Sequence, residues 1–455
     1  MPALPPHSPL VISASRATDI PAFHGEWFMA RLQAGFCRRR NPFNSRQECL
    51  ISFARTRVFV FWSKHPAPFL PHLAEIAATG RQFYFQYTLN AYEAEGLEPG
   101  LPSLCRRLET FKRLADTIGP QRVIWRCDPL IVGGGLSTDT LLERIDRLGR
   151  ELSPYTEKLV FSFVDMYRKT AAALQRLDPA YRAPTVDEMR ELARGIATLN
   201  SGWPHRLELA TCAEGIDLSA LGIHKNKCID DVLIRRLCPQ DALVQAELAP
   251  RRQLSLLPGI ETAASASKDT GQRTACGCIP SKDIGAYDSC PHFCVYCYAN
   301  RSEQAVRAKQ QEATDAYADA LVQQVIAGME VDIPERMVTC QLDGLMRDLE
   351  QQLMQQGATM DAYLEMAGIT RDDLRRQAES SARAAVEFEL AMTEIARREN
   401  IQFTDAELEE KYTQMSALYG MTPDQLKQSL PIERLTHDLR LARARAIIVD
   451  SAKQI

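Results

Sequence analysis

The 455-residue sequence lacks the features that would place it in a membrane or outside the cell. No stretch approaches the roughly 18 apolar residues that a membrane-spanning helix needs. The opening MPALPPHSPLVISASRATD has neither the basic segment nor the continuous apolar segment of a secretion signal. The net charge of −4 is too small to indicate nucleic acid or an anionic membrane surface as a partner. These absences, together with 13 cysteines in a chain with no export signal, predict a protein of the reducing cytoplasm.

The second half of the chain lacks residues that are common in the first half. All four tryptophans lie before residue 204, and only three of the 25 prolines lie beyond residue 300. Of the 13 cysteines, only Cys340 lies beyond residue 300. Because composition changes so abruptly, we expect a domain boundary there, with a first domain over 1–302 and a second over 303–455.

The first half alternates short apolar runs with amphipathic patterns. Such runs are typical of buried strands, and the patterns between them are typical of helices. Strands that alternate with helices predict an α/β fold with a parallel sheet, most simply a full or partial β/α barrel. A doubly wound open sheet is the alternative. The predicted strands are LVIS (10–13), RVFVFWSK (57–64), QFYFQYTLN (82–90), RVIWRCDP (122–129), KLVFSFVD (158–165) and RLELATC (206–212).

Polar side chains follow nearly every predicted strand. In a barrel, the carboxyl ends of the strands form the mouth where function gathers. Any one of these side chains could instead cap a helix or satisfy loop backbone, but their recurrence favours a mouth lined for chemistry. The candidate catalytic residues at this mouth are Arg16, Asp19, Lys64, Arg126, Asp128, Asp165 and Glu214, and Ser13, Ser15 and Asn90 lie at equivalent positions.

Three cysteines, Cys290, Cys294 and Cys297, are spaced C-x3-C-x2-C within CPHFCVYCYAN. Three thiolates on one loop can hold three corners of a 4Fe–4S cluster and leave the fourth iron open. An open iron can chelate S-adenosylmethionine, so this cluster and this cofactor are the predicted groups, with Tyr296 a candidate cofactor contact. The alternative is a zinc site in which His292 or a distant thiol is the fourth ligand.

Four further thiols precede this loop: Cys212, Cys228, and the close pair Cys276 and Cys278. The pair favours a second metal site, holding either zinc or another iron–sulfur cluster. The alternative is that these thiols are buried apolar groups. Cys238 lies ten positions after Cys228 and could replace it as a ligand.

The second half is predicted to be helical throughout. Thr370, Thr404 and Thr422 each begin a capping box or a close variant, and Asp332 begins another candidate. One predicted helix carries an apolar stripe at three- and four-residue steps. The stripe consists of Val338, Leu342, Leu345, Met346, Leu349, Leu353 and Met354.

The cysteine loop YDSCPHFCVYCYAN resembles the cluster loop of spore-photolyase-like radical S-adenosylmethionine enzymes. Across residues 10–300 the chain resembles the bacterial family described as domain of unknown function 1848. The resemblance rests on ISASRATDIPAFHGEWF, VFWSKHPAPFLPHL, ETFKRLADTIGPQRVIWRCDP, HKNKCIDD and CGCIPSKDIGAYDSC, among other stretches. It implies a barrel-like domain with a radical-enzyme cluster, and an electron donor such as flavodoxin or ferredoxin. It supplies no substrate.

This chain departs from the radical-enzyme pattern in the position of the loop. Radical enzymes carry the cysteine triplet after the first strand, whereas here it follows the last recognisable strand. A permuted strand order would return the loop to the mouth, with DIGAY (283–287) as the strand that leads into it. Cys127 also stands where tyrosine is expected, and there is no glycine-rich segment to hold the methionyl group.

Residues 304–455 resemble the carboxyl-terminal chaperone domain of bacterial trigger factor. The resemblance is carried by DALVQQVIAGMEVDIPERMV, LMRDLEQQLMQQGATMDAYLEMAGITRDDLR, EIARRENIQFTDAELEEKYTQMSALYGM and RARAIIVDSAKQI. It implies binding of unfolded polypeptides, but not ribosome docking or prolyl isomerisation, since those regions have no counterpart here. The leading hypothesis is therefore a radical-type enzyme fused to a client-binding domain. The alternatives are a folding factor whose metal is only structural, and a zinc-stabilised binding protein without redox chemistry.

Overall fold

The computed structural model describes residues 7–41, 44–249, 251–254, 261–264, 268–269, 272–355 and 357–452. The chain divides into two compact units, Met1–Lys309 and Gln310–Ile455. The helix Glu303–Ala327 spans the division, since it begins in the first unit and ends in the second.

The strands of the first unit begin where the sequence predicts apolar runs, with several short additions. All six predicted strands are present, with each end within two residues of the expected bound. In chain order the strands are β1 (Val11–Ala14), β2 (Phe36–Asn41), β3 (Asn44–Ser52), β4 (Val58–Ser63), β5 (Gln82–Thr88), β6 (Val123–Leu130), β7 (Lys158–Phe163), β8 (Glu208–Thr211), β9 (Ile223–Lys225), β10 (Arg251–Leu254), β11 (Glu261–Ala264) and β12 (Lys282–Asp283).

Eight of these strands form one parallel sheet in the order β12-β1-β4-β5-β6-β7-β8-β9. The order follows the chain from β1 to β9, and the last strand, β12, then lies beside β1. Among the described residues no ladder joins β9 to β12, so these two strands form the edges of an open sheet. The remaining strands form two antiparallel pairs, β2 with β3 and β10 with β11.

Helices connect the parallel strands, as βαβ units require. The strand order does not reverse between β1 and β9, so the sheet lacks the reversal that defines a doubly wound fold. The helices of this unit are α1 (Ile20–Phe23), α2 (Gly25–Ala34), α3 (Leu73–Ala78), α4 (Leu104–Ile118), α5 (Thr138–Leu152), α6 (Arg168–Leu177), α7 (Val186–Asn200), α8 (Asp231–Leu237) and α9 (Ala242–Glu247).

The two faces of the sheet pack into two different cores, because successive side chains of a strand point to opposite faces. Phe59 and Phe61 belong to the larger core, which the helices between the strands cover. Val58 and Val60, on the same strand, belong to a smaller core with Ile234 and its neighbours from the chain after β9. The strands are therefore buried on both sides, which explains their near-continuous apolar sequence.

The predicted α/β class of the first half and the all-helical class of the second half are confirmed. Closure into a full barrel is not seen. The predicted strand 283–287 is wrong in extent, since the ladder with β1 involves Lys282 and Asp283. The cysteine loop nevertheless lies where that prediction put it, because the chain after β12 carries Cys290 to the carboxyl side of β1 and β4.

The second unit contains helices and no strand among the residues described from 310 to 452. Its apolar side chains form four small separate clusters rather than one core, centred on Met392, Tyr412, Leu342 and Met346. Its helices are α10 (Glu303–Ala327, shared with the first unit), α11 (Glu335–Gln355), α12 (Met360–Ala367), α13 (Arg371–Arg398), α14 (Asp405–Tyr419), α15 (Pro423–Ser429) and α16 (Ile432–Ala452).

Three of the predicted capping boxes are present in this unit, at Thr370, Thr404 and Thr422. The prediction at Asp332 is wrong, because α11 begins at Glu335 itself. The predicted stripe on α11 is largely buried, but its last member, Met354, is 66% exposed. Within the described ranges, no helix is both long enough and apolar enough to cross a membrane.

Candidate metal centre at the carboxyl ends of the strands

The three-cysteine loop is an irregular segment that is held by backbone hydrogen bonds, both within the loop and to the rest of the first unit. Cys297 N donates to Cys294 O at 3.0 Å, and Val295 N donates to Leu97 O at 2.9 Å. Asp288 and Phe293 adopt left-handed backbone conformations, with φ of 55° and 51°. Such conformations are costly for residues other than glycine, so surrounding contacts must hold this loop in shape.

Gly100 lets the chain after β5 approach this loop closely. Its N donates to His292 O at 2.9 Å. A Cβ at this position would lie 2.5 Å from Pro291 O and 2.7 Å from His292 O. Since both neighbours are backbone atoms, any larger residue would displace the loop.

A buried pair ties the loop to the end of β1. His292 Nε2 lies 2.8 Å from Asp19 Oδ2, and both side chains are at most 5% exposed. Asp19 also accepts from the backbone of Lys64 at 2.8 Å and, as the N-cap of α1, from Ala22 N at 3.0 Å. Burial opposes ionisation of Asp19, but the hydrogen bond and charge of His292 outweigh it and lower the pKa of Asp19.

A second buried network ties the loop to β4 and β5. Tyr296 OH donates to Glu98, and Lys64 Nζ lies 2.9 Å from Tyr296 OH and 2.7 Å from Glu98 Oε1. Asn90 Nδ2 donates to Glu98 at 3.2 Å, and Arg107 Nη1 lies 3.2 Å from its other oxygen. Burial disfavours the charge of Glu98, but Lys64 and Arg107 outweigh burial and lower its pKa.

The three thiols of the loop are partly exposed to solvent. Burial raises the pKa of Cys290 to about 12 and that of Cys294 well above its usual range. In the described part of the chain, no group of three or more His, Cys, Asp or Glu is arranged to hold a single metal ion. Cys290, Cys294 and Cys297 are partly exposed thiols on one loop, and they are the donors that an iron–sulfur cluster would use.

The four upstream cysteines come together on the opposite side of the sheet, in and against the smaller core. Cys212 Sγ lies 3.4 Å from Cys228 Sγ. Cys278 lies in the same core as Cys228, and Cys276 packs against that core. The neighbouring thiol of Cys278 lowers the pKa of Cys276 to about 7. The four thiols therefore lie together at this core, whereas Cys238 lies elsewhere in it.

Two arginines predicted at the mouth face this thiol group. Arg126 Nη1 donates to Cys228 Sγ at 3.1 Å, and its guanidinium carbon lies 5.1 Å from the centre of the Trp62 ring. The Arg16 guanidinium carbon lies 5.3 Å from the same ring, and Arg16 Nη2 is buried without a hydrogen-bond partner. Burial works against the charge of Arg16, but the nearby thiols of Cys278 and Cys228 raise its pKa.

The remaining mouth residues lie within β6 or follow β7 and β8. Asp128 accepts hydrogen bonds from Arg126 and from Ser162. Asp165 Oδ2 pairs with Arg273 Nη1 at 2.5 Å on a half-exposed surface. Glu214 accepts from Phe163 N at 2.9 Å, and burial raises its pKa to about 7, with smaller contributions from Asp165 and Asp128. With a pKa of about 7, Glu214 can accept or release a proton near neutral pH.

The structure divides the predicted mouth residues among separate networks. Asp19 and Lys64 contact His292 and Tyr296 of the three-cysteine loop. Arg16 and Arg126 face the second thiol group. Asp165 forms a half-exposed ion pair with Arg273. Sequence reasoning missed Glu98, Arg107, Trp62 and Asp283. Glu98 and Arg107 lie outside the predicted strand ends, and no local pattern marks them, because only the fold buries these two charged residues together.

The fold and site define a parallel α/β domain with a cysteine loop at the carboxyl ends of its strands, joined to an all-helical domain. Residues 11–299 match the family described as Domain of unknown function (DUF1848), and because this is more than half of the chain, the chain belongs to that family. Residues 298–450 match the family described as Bacterial trigger factor protein (TF) C-terminus. Both resemblances predicted from the sequence are confirmed.

The helical segment is similar to curated trigger factors. The trigger factor of Bacillus mycoides (strain KBAB4) is 34% identical over 145 residues, which are 32% of this chain and 34% of that protein. The trigger factor of Anoxybacillus flavithermus (strain DSM 21510 / WK1) is 33% identical over 154 residues, which are 34% and 36% of the two chains. The chain thus spans about a third of the length of these relatives. No solved structure matches the chain.

Proposed function

We propose that the first unit is an iron–sulfur enzyme of the radical S-adenosylmethionine type. The observation that carries the proposal is the attachment of the three-cysteine loop to the carboxyl ends of β1, β4 and β5. His292 is held by Asp19, and Tyr296 is held by Lys64 and Glu98. In parallel α/β folds this edge is where reacting groups are placed.

In this proposal Cys290, Cys294 and Cys297 hold a 4Fe–4S cluster. When bound, such a cluster with one open iron supplies chelation of S-adenosylmethionine and the electron that cleaves its sulfonium. The chain's own residues hold the loop in place through the buried side chains of His292 and Tyr296. Asp128 in β6 and Glu214 after β8 are the candidates to bind or protonate a substrate. The electron donor would be a protein such as flavodoxin or ferredoxin.

Anaerobic reconstitution with iron and sulfide tests this proposal. We expect about four irons per chain, the broad visible absorption of a 4Fe–4S cluster, and release of methionine from S-adenosylmethionine when dithionite is the reductant. Changing Cys290, Cys294 and Cys297 together to alanine should abolish methionine release, while Cys105→Ala, at an exposed thiol far from the loop in sequence, should not. If a cluster forms but no methionine is released, the enzyme proposal is wrong and the cluster has only a structural role.

We further propose that the second unit binds unfolded polypeptides. Its similarity to trigger factor supports this, and so does its surface. Met354 and Met366 are 66% and 83% exposed, and the cores beneath them are small and separate. Exposed methionines give an adaptable apolar surface that suits clients of varied sequence. The free thiols of the whole chain, none of them in a disulfide, fit the reducing cytoplasm where such clients occur.

Suppression of client aggregation tests this second proposal. The full chain in several-fold excess is expected to slow the aggregation of a chemically unfolded client, and Met354→Ser/Met366→Ser should weaken the effect severalfold. The matched control is Gln355→Ser/Glu365→Ser, which changes exposed polar neighbours on the same helices. Equal suppression by the two double variants would show that these methionines do not bind clients.

A further inference from the structure

The four upstream cysteines have no role in the proposed function, although the fold gathers them from three distant segments. We propose that Cys212, Cys228, Cys276 and Cys278 bind one zinc ion, and that this ion joins the two edges of the open sheet. The inference is independent of the three-cysteine loop and of the reaction proposed for it.

The spacing of the thiols favours a single ion over a cluster. With Zn–S bonds of about 2.3 Å, neighbouring sulfurs of a tetrahedral site lie about 3.8 Å apart. The Cys212 and Cys228 sulfurs are already 3.4 Å apart, and Cys276 and Cys278 lie against or within the same small core. A cube of four irons would hold these sulfurs farther apart. Because the thiols do not surround one point, binding requires their side chains to turn toward a common centre.

The charges around the thiols suit a tetrathiolate centre. Four thiols that bind Zn²⁺ release four protons, and the resulting centre carries a net charge of 2−. Arg126 donates to Cys228 Sγ at 3.1 Å, and the buried Arg16 Nη2 has no partner of its own. Two guanidinium groups therefore lie where two negative charges would appear, although Arg126 also serves Asp128.

Neutral donors add to this environment. Asn226 Nδ2 donates to Cys228 Sγ at 3.1 Å, and Ile229 N donates to Cys278 Sγ at 3.4 Å. Hydrogen bonds to ligand atoms are the supporting interactions that orient and tune metal ligands. The thiols are thus positioned by groups that an apolar core of cysteines would not need.

The positions of the cysteines in the fold indicate what the ion does. Cys212 directly follows β8, and Cys228 follows β9 at one edge of the sheet. Cys276 and Cys278 precede β12, which forms the opposite edge. One ion bound by all four would join the ends of β8 and β9 to the segment before β12, where the described residues form no ladder. It would also fix β12, whose Asp283 accepts from Arg16 N at 2.8 Å and from Ser13 at 2.9 Å.

Metal analysis of the full chain, purified anaerobically without added metal, tests the proposal. We expect about one zinc per chain, falling to about a tenth in Cys212→Ser and in Cys278→Ser. Two controls should keep their zinc. One is Cys238→Ser, which changes a buried thiol of the same core, and the other is the triple alanine variant at Cys290, Cys294 and Cys297. The triple variant separates this site from the proposed iron–sulfur loop.

Spectroscopy of the unaltered chain provides a second test, which does not depend on whether the cysteine variants fold. X-ray absorption at the zinc edge should show four sulfurs at about 2.3 Å, and cobalt in place of zinc should give the intense visible bands of a tetrahedral thiolate site. Three results would overturn the proposal. They are zinc that survives both cysteine changes, iron and sulfide that remain in the triple alanine variant, and a metal-free chain with a Cys212–Cys228 disulfide.

Discussion

Replacing Asp19 by alanine is expected to lower the free energy of unfolding of the first unit by about 3–5 kcal/mol. The Asp19 carboxylate is 5% exposed and has three partners: His292 Nε2, Lys64 N and Ala22 N. Its removal leaves buried donors without an acceptor and deletes the cap of α1. Urea denaturation followed by tryptophan fluorescence measures the effect, since all four tryptophans lie in the first unit.

A matched change at an exposed carboxylate controls for the loss of one negative charge. Asp187 pairs with Arg190 at 3.3 Å, and its side chain is 94% exposed. Asp187→Ala should therefore change the free energy of unfolding by less than about 1 kcal/mol. If Asp19→Ala costs no more than Asp187→Ala, then the buried pair does not hold the loop to β1. Iron content after reconstitution gives a second measure, because a released loop should bind its cluster less tightly.

The parallel sheet could be predicted from the sequence because its strands are buried on both faces. Short continuous apolar runs such as VFVFW, and the aromatic-rich QFYFQYT, are typical of strands that are buried on both faces. The strands β9 and β12 could not be predicted in the same way, since they span three and two residues. Short edge strands carry little apolar sequence, and tertiary pairing with β8 and β1 decides their existence.

The cysteines of the candidate site could be predicted because they are close together in the sequence. The residues that the fold brings to them from distant segments could not. Cys290, Cys294 and Cys297 stand out within eight positions, and the chemistry of their spacing needs no structure. The partners that hold them, Asp19 and Glu98, lie 273 and 198 positions away from their contacts in the loop. Such distances leave no local signal. The sequence indicated Asp19 only as a polar strand end, and it indicated nothing for Glu98.

The strand order connects these two cysteine groups. Since β12 pairs with β1, the chain that follows it arrives at the carboxyl ends of the strands with Cys290, Cys294 and Cys297. The same placement brings Cys276 and Cys278, just before β12, beside Cys212 and Cys228 after β8 and β9. A late, two-residue strand therefore positions both groups. Anything that strengthens its attachment, including a metal that joins the edges of the open sheet, would also position the loop.

Glu98 is expected to be the most sensitive residue of the network around Tyr296. Glu98→Gln leaves the buried cations of Lys64 and Arg107 without their counter-ion, and we expect it to cost about 3–5 kcal/mol in the free energy of unfolding. Arg107 is 1% exposed, so water cannot replace the lost carboxylate. Burial works to lower the pKa of Lys64, but the charge of Glu98 outweighs it and raises that pKa, and the variant removes this support.

A double-mutant cycle separates the charge pair from a general loss of packing. Glu98→Gln/Lys64→Met removes both charges, so its cost should be smaller than the sum of the single changes by about 2 kcal/mol. The matched pair is Glu157 with Arg236, which lie 2.7 Å apart with both side chains about half exposed. Glu157→Gln/Arg236→Met should show a coupling of about 0.2–1 kcal/mol, because water screens an exposed pair. Equal coupling in the two cycles would mean that Lys64 and Glu98 do not act as a buried pair, and that the loop relies on Asp19 and His292 alone.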